Sequence, residues 1–315
     1  MVPQAHITDP ADSARSARRQ PLRRLRTPLF QLLLATKGRA FAALPWRGAQ
    51  AAGRLLGRLG GRVVPRDQRR MLEHLAIAFP ELDIEARRRL ARACWRHLGC
   101  SLGELLHLRY RSPATASRHV AVAGFEVVEA ARRSRRPILI LTGHCGNWEL
   151  ISAANHSHGL GLVAMGRDND DPALARAIVD LRQHLGTTTI ARGASGSSRQ
   201  LLSTIRRGGA LALLIDQDID TDGVWVPFFG KLAYTPTAGA DLALRLGAVV
   251  VPTFAARLED GSHRVTFHSP LELGDDREQA TARMTAAIEA QIRRRPEQWV
   301  WMHRRWRRRP PGEVA

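Results

Sequence analysis

The chain has 315 residues, 44% of them hydrophobic, enough to bury one large core or two small ones. Its formal net charge is +19, carried almost wholly by arginine, since Lys37 and Lys231 are its lysines. That balance calls for an acidic partner, whether nucleic acid, an anionic membrane surface or an acidic protein. Three cysteines, Cys94, Cys100 and Cys145, with no CxxC pair, exclude a disulfide scaffold and a cysteine zinc site and fit a reducing compartment.

Residues 1–26 combine proline, serine and arginine without an apolar core, and read as a disordered basic tail rather than a signal peptide. The segment PLFQLLLATKGRAFAALPW (28–46) is interrupted by Lys37 and Arg39. It falls short of the roughly 20 apolar residues that a span needs, which favours an interfacial helix. Residues 27–115 therefore form a helical, membrane-associating region. Within it, 71–109 has helical periodicity broken at Pro80, with Asp83 as N-cap of the second helix. Ile84, Leu90, Ala93, Cys94 and Leu98 share one face, so Cys94 and Cys100 belong to a core.

From about residue 116 to 310 the texture is α/β. Strands are predicted at 137–143, 160–165, 187–191, 210–216, 248–257 and 263–269. Helices are predicted at 147–156, 172–185, 197–207, 236–246 and 276–293. This alternation argues for a sheet covered by helices. HRVTFHS (263–269), following EDG, reads as a hairpin return and makes the sheet mixed.

The first strand ends in ILILTGHCGNWEL (138–150). Reactive groups collect at the carboxyl ends of strands in open α/β sheets. On one continuous helix His144 and Glu149 would point roughly 140° apart. With His144 in the loop and a helix starting near Asn147, their side chains converge. A carboxylate on one imidazole nitrogen raises basicity at the other, producing a general base with no nucleophile of its own. Such a base suits deprotonation of a substrate hydroxyl for attack on an acyl carbonyl. Cys145 is adjacent to His144 and badly placed to be activated by it. Backbone N–H groups near 143–147, Gly143 among them, are available to an oxyanion.

Asp216, Gln217 and Asp218 end the fourth predicted strand. No His or third ligand accompanies the two acids, so they are expected to have a structural or substrate-orienting role and not to bind metal. The helix opened by TPTAG (235–239) offers either an anion site or ordinary capping. WVWMHRRWRRR (299–309) interleaves tryptophan with arginine. That pattern fits a nucleic-acid surface, an interfacial belt or a core.

Several blocks occur together: HLAIAFPEL (74–82), GHCGNWEL (143–150), GRDNDDP (166–172), LLIDQD (214–218 with its leading leucine), VWVPFFGKLAYTPTAGADLALRLGAVVVP (224–252) and PEQWVWMHRRWRRRP (296–310). Over most of 40–310 the chain resembles the late acyltransferases of lipid A biosynthesis, the lauroyl/myristoyl transferases, within the glycerolipid-type acyltransferase superfamily. The resemblance implies a glycerol-3-phosphate-acyltransferase-like fold and the His-x4-Asp/Glu pair, here His144 as base and Glu149 as its orienting carboxylate. It implies acyl transfer from an acyl carrier protein or coenzyme A thioester to a hydroxyl of a membrane lipid. No metal or organic cofactor is needed, and the location is the cytoplasmic face of a bacterial inner membrane. Arg167 is expected to hold a phosphate of the donor or acceptor, or to balance Glu149. Arg192, Asn147, Gly143, Asp216 and Asp218 are further substrate-binding candidates. The charge-interrupted N-terminal region departs from relatives that carry a membrane span, which keeps a phosphatidylinositol mannoside open as acceptor. A hydrolase using the same base on water, or a basic nucleic-acid-binding protein, are the other readings.

Overall fold

The computed structural model describes residues 38–166, 172–191 and 196–312. After a helical stretch at 38–43 come α1 (Trp46–Val63), α2 (Pro65–Ala78), α3 (Ile84–Leu108) and the short α4 (Pro113–Ser117). Pro80 lies between α2 and α3, and the Asp83 carboxylate caps α3 by accepting from the Ala86 amide at 2.6 Å. The predicted break and cap are therefore present. Of the proposed apolar face, Cys94 is fully buried, whereas Ile84 is 49% exposed because the first turn of α3 extends past the core.

Glycine governs how α1 meets α3. A Cβ on Gly99 would stand 2.2 Å from the carbonyl oxygen of Gly53, and one on Gly53 would stand 2.2 Å from that of Gly99. Gly57 and Gly103 extend the same contact against Trp95, Gly99 and Ala49. The glycines that look like interruptions in the sequence thus allow two helix backbones to touch.

The α/β region follows: β1 (Val120–Ala123), α5 (Glu126–Arg133), β2 (Ile138–Thr142), α6 (Leu150–Ser157), β3 (Leu162–Gly166), α7 (Pro172–His184), β4 (Thr187–Ala191), α8 (Ser197–Arg206) and β5 (Ala210–Leu214). Then come β6 (Gly223–Phe228), β7 (Lys231–Pro236), α9 (Ala238–Leu246), β8 (Val249–Arg257), β9 (His263–Phe267) and α10 (Arg277–Arg294). Among the described residues, seven strands make one sheet in the order β1-β9-β8-β2-β5-β3-β4. Every pairing is parallel except β8 with β9, the expected hairpin return. Side chains alternate across the sheet with the period of two that strands impose. Leu139, Leu141, Leu211 and Val250 share one core with Met71, Cys94, Met284 and Ile288 of the helices on that face. Ile138, Ile140, Ala210 and Val251 share the opposite core with Val128, Ile151 and Ala154.

Four elements of the α/β region escape the sequence reading. β1 and α5 precede the first predicted strand, and β6 and β7 form a separate antiparallel ribbon. The ribbon turns at Phe229 and Gly230, both with positive φ (53° and 74°). That is the tight hairpin geometry in which glycine is ordinarily required at such positions.

A buried ionic cluster joins the N-terminal helices to the sheet. Glu104 on α3 is fully buried and accepts from Arg257 Nε at 2.9 Å and Nη2 at 2.8 Å, His263 Nε2 at 3.0 Å, Gln50 Nε2 at 2.6 Å and Asn147 Nδ2 at 2.9 Å. Burial works against its charge, but the His263 hydrogen bond and the Arg257 charge outweigh that and hold it well below the usual carboxylate range. Arg257 also donates to the ring of His97, whose pKa burial and that guanidinium push down to about 3.

Two outcomes follow. Alanine favours a helix over glycine by about 1 kcal/mol, yet overpacking a tight contact costs about 1–3 kcal/mol, and here backbone opposes backbone. Gly99→Ala therefore lowers the urea midpoint; an unchanged or raised midpoint contradicts the contact. His97 ionises near 6.5 when unfolded and near 3 when folded. Between those values only the unfolded chain takes the proton, so this contribution is complete above about pH 6.5 and declines as pH falls, by about 1.4 kcal/mol per unit. His97→Gln should flatten the fall in stability between pH 6.5 and 4 by one proton's worth; an unaltered slope would refute this assignment.

Candidate active site

β2 and β5 are adjacent and parallel, in register from Ile138 opposite Ala210 to Thr142 opposite Leu214. The residues that follow them therefore emerge side by side at one sheet edge. His144 comes from the first and Asp216 from the second. His144 Nδ1–H donates to Asp216 Oδ1 at 2.8 Å, and the His144 backbone amide donates to Asp216 Oδ2 at 2.7 Å. Trp299 Nε1–H adds a third donor to Oδ2 at 2.8 Å. Asp216 is 1% exposed, and burial opposes its ionisation. His144 and Trp299 more than offset that penalty, and the carboxyl stays well below its usual range. An ionised Asp216 holds the proton on Nδ1 and leaves His144 Nε2 with a lone pair, the disposition of a general base.

Gly143 lets this approach happen, because a Cβ there would stand 3.0 Å from Asp216 Oδ2 and 2.9 Å from Ile288. Gly146 has φ +61°, and a Cβ would strike the Ala255 carbonyl at 1.8 Å. The chain turns sharply at this glycine.

Glu149 does not occupy the place expected of it. Its carboxylate accepts a fork from Arg182 on α7, Nη2 to Oε1 at 2.8 Å and Nε to Oε2 at 3.0 Å, and a hydrogen bond from Trp148 Nε1 at 3.1 Å. The carboxylate on the imidazole is Asp216. The physical reason is local: residues 147–152 form tight turns with Leu150 N–H to Asn147 O and Ile151 N–H to Trp148 O, and α6 begins only at Leu150. Glu149 reaches His144 through Trp148, whose ring meets the imidazole edge-on at 4.9 Å between centroids.

Gln217 and His303 complete the surroundings. The Gln217 amide donates to Nε2 of His144 at 3.0 Å and of His303 at 2.9 Å. Burial and neighbouring His144 push the His303 pKa down to about 4. Neither residue is singled out by sequence reasoning. HRR inside a tryptophan–arginine block carries no motif, and Gln217 was passed over between two acids.

Other expectations are corrected. The His144 and Gly146 amides are committed, to Asp216 and to the Gln298 carbonyl at 2.7 Å, so they are not open oxyanion donors. Asn147 is 2% exposed and spends its amide on Glu104, a structural role. Asp218 is bound by Arg307 at 3.2 Å and by the Arg308 amide at 3.0 Å, which ties down the C-terminal segment. Cys145 is buried, and burial with the Asp216 charge raises its thiol well above the ordinary value, so it is inert. The first turn of α9 already carries Asp241, paired with Arg277. Trp299 and Trp301 are fully buried, and Arg305 beside them is buried against the face of Phe228. This part of the tryptophan–arginine block is core. Arg167 and Arg192 lie outside the described residues. Among the described residues no group of three or more His, Cys, Asp or Glu is arranged to hold a metal.

The sequence model of the bacterial lipid A biosynthesis acyltransferases matches residues 17–308. The chain is 25% identical over 265 residues to a lipid A biosynthesis acyltransferase of Haemophilus influenzae, covering 82% of this chain and 83% of that protein. It is 26% identical over 265 residues to the lipid A biosynthesis myristoyltransferase of Escherichia coli, covering 82% and 81%. A shorter match, 26% over 155 residues and 46% of this chain, is to a phosphatidylinositol mannoside acyltransferase of Mycobacterium tuberculosis, of which it covers 48%. With its sequence matched from residue 17 to 308, the chain belongs to the bacterial lipid A biosynthesis acyltransferase family.

Proposed function

We propose that the protein transfers a fatty acyl chain from an acyl thioester to a hydroxyl of a lipid A precursor, with His144 as general base. The observation that carries the reading is the buried Asp216 carboxylate on Nδ1 of His144, the histidine that opens the GHCGNWEL block after Gly143, in a chain of this acyltransferase family. The reaction needs a base for a substrate hydroxyl and no protein nucleophile.

His144 Nε2 takes the hydroxyl proton as the alkoxide oxygen attacks the thioester carbonyl. The tetrahedral intermediate expels the thiolate, which recovers that proton from the imidazolium. Asp216 stabilises the imidazolium without itself being protonated. The Gln217 amide, 3.0 Å from Nε2, stands where an acceptor hydroxyl would hydrogen-bond, and yields that position when the acceptor arrives. Glu149 supports the site by holding Trp148 and Arg182. Arg167, which follows Gly166 in the sequence, is assigned to a phosphate of donor or acceptor. The donor is an acyl carrier protein or coenzyme A thioester. The site of action is the cytoplasmic face of the inner membrane, and no helix among the described residues is long and apolar enough to cross it. A phosphatidylinositol mannoside is the second acceptor, favoured by the shorter match to such an enzyme.

The test is transfer of labelled acyl chain by the purified protein, with carrier-protein and coenzyme A donors supplied separately, to a tetra-acylated lipid A precursor and to a phosphatidylinositol mannoside. Label should reach the lipid A precursor, and His144→Ala should lower the rate by roughly 10²–10⁴-fold. Transfer to the mannoside alone would change the acceptor. Release of free fatty acid alone would make the protein a hydrolase. A His144→Ala protein as fast as the wild type would remove the proposed base.

A further inference from the structure

A cavity of about 430 Å³ lies between α1, α2 and α3, in the N-terminal helical region and built from residues with no part in the His144 site. Arg58 and Arg62 of α1 and Arg88, Arg92 and Arg96 of α3 line it. Trp95 and Leu72 give it an apolar wall, and Trp95 is held in place by donating to Gln68 Oε1 at 2.8 Å. The spacing explains the convergence. Arg58 and Arg62 are four residues apart on α1, and Arg88, Arg92 and Arg96 repeat the interval on α3, so each set forms a row on one helix face. The close glycine contact between the two helices then sets the rows opposite each other.

Five guanidinium groups around one cavity repel one another unless a counter-charge is present. Arg88 has one, Glu85 at 2.5 Å. Among the described residues, no carboxylate pairs with Arg58, Arg62, Arg92 or Arg96. The cavity is thus suited to an anion with several oxygens, which guanidinium groups bind in pairs.

A second feature of α1 identifies the source of that anion. Leu55, Leu59 and Val63, spaced by four, are 55%, 47% and 73% exposed, and Leu56 beside them is 44% exposed. They form an aliphatic stripe about 12 Å long at 1.5 Å per residue, one position round the helix from Arg58 and Arg62. An acidic protein would match the arginines but offers no reason for a neighbouring row of exposed aliphatic side chains. A bilayer surface solvates both, with phosphate at one level and acyl chain just beneath it.

We propose that the cavity between α1, α2 and α3 binds the phosphate headgroup of an anionic bilayer lipid, while Leu55, Leu59 and Val63 enter the adjoining acyl layer. The proposal rests on the reading that the protein works on a membrane lipid, and adds a docking site separate from the catalytic one.

The experiment is sedimentation of the full chain with vesicles of phosphatidylcholine alone or of phosphatidylcholine with phosphatidylglycerol. Binding should require phosphatidylglycerol and weaken with salt. The triple substitution Arg58→Gln, Arg92→Gln, Arg96→Gln should weaken it by roughly a hundredfold, at about 1 kcal/mol per basic residue. Leu55→Ser with Leu59→Ser should weaken it as well while leaving its salt dependence in place. Both sets lie on exposed or half-exposed helix faces, and the thermal midpoint checks that folding is intact. Wild-type vesicle binding by the arginine variant would overturn the proposal. So would binding to an acidic acyl carrier protein that falls in this variant while vesicle binding does not. The variant should keep transfer activity on a detergent-dispersed acceptor. If the wild type transfers nothing in that assay yet loses vesicle binding on substitution, the catalytic reading fails and the docking site stands.

Discussion

A single carboxylate joins the parts of this molecule that chemistry requires to be together. Asp216 leaves the end of β5, receives both the side chain and the backbone amide of His144 from the end of β2, and is pinned by Trp299 of the C-terminal segment. An unpaired buried carboxylate would cost several kcal/mol. Three directed donors remove that penalty and make the charge a constraint on geometry. The imidazole is held in one tautomer, the loop that carries it is fixed at two points, and the C-terminal segment is drawn over the sheet edge. The glycine at 143 is needed because that approach leaves no room for a side chain.

Glu104 plays the corresponding part farther back. It collects Arg257 and His263 from the sheet, Gln50 from α1 and Asn147 from the His144 loop. The helical region is thereby bolted to the loop bearing the base through one buried anion. The two acids divide the work: Asp216 orients the ring, and Glu104 fixes the turn below it. Glu149 is the third acid of the neighbourhood, engaged with Arg182 on α7 and with the tryptophan that packs against the imidazole.

Much of the fold was legible because the physics is local. Short apolar runs ending in glycine or aspartate became the central strands, and the amphipathic segments between them became helices. Asp83 capped α3 as its side chain and position required. The ribbon of β6 and β7 was missed because its turn uses Phe229 at positive φ, where composition points to no turn. His144 was legible from its place at a strand end. Its partner was not, because a five-residue interval says nothing about a residue 72 positions away that the sheet order brings alongside. Asn147 and Asp218 looked like substrate contacts for the same reason: exposed-looking polar residues in a loop cannot be told from buried ones until Glu104, Arg307 and Arg308 arrive from elsewhere in the chain. The tryptophans of WVWMHRRW illustrate the opposite error. Alternation with arginine resembles a surface, yet Trp299 and Trp301 are wholly enclosed and Arg305 is buried with them.

The central claim is that Asp216 sets the tautomer and orientation of His144. Nitrogen-15 NMR of histidine-labelled protein tests it directly. The account predicts that the neutral form of the ring carries its proton on Nδ1, a pattern lost or shifted in Asp216→Asn and retained in Glu149→Gln. A proton on Nε2, or a ring signal that responds to Glu149→Gln and not to Asp216→Asn, would contradict it and return the orienting role to Glu149.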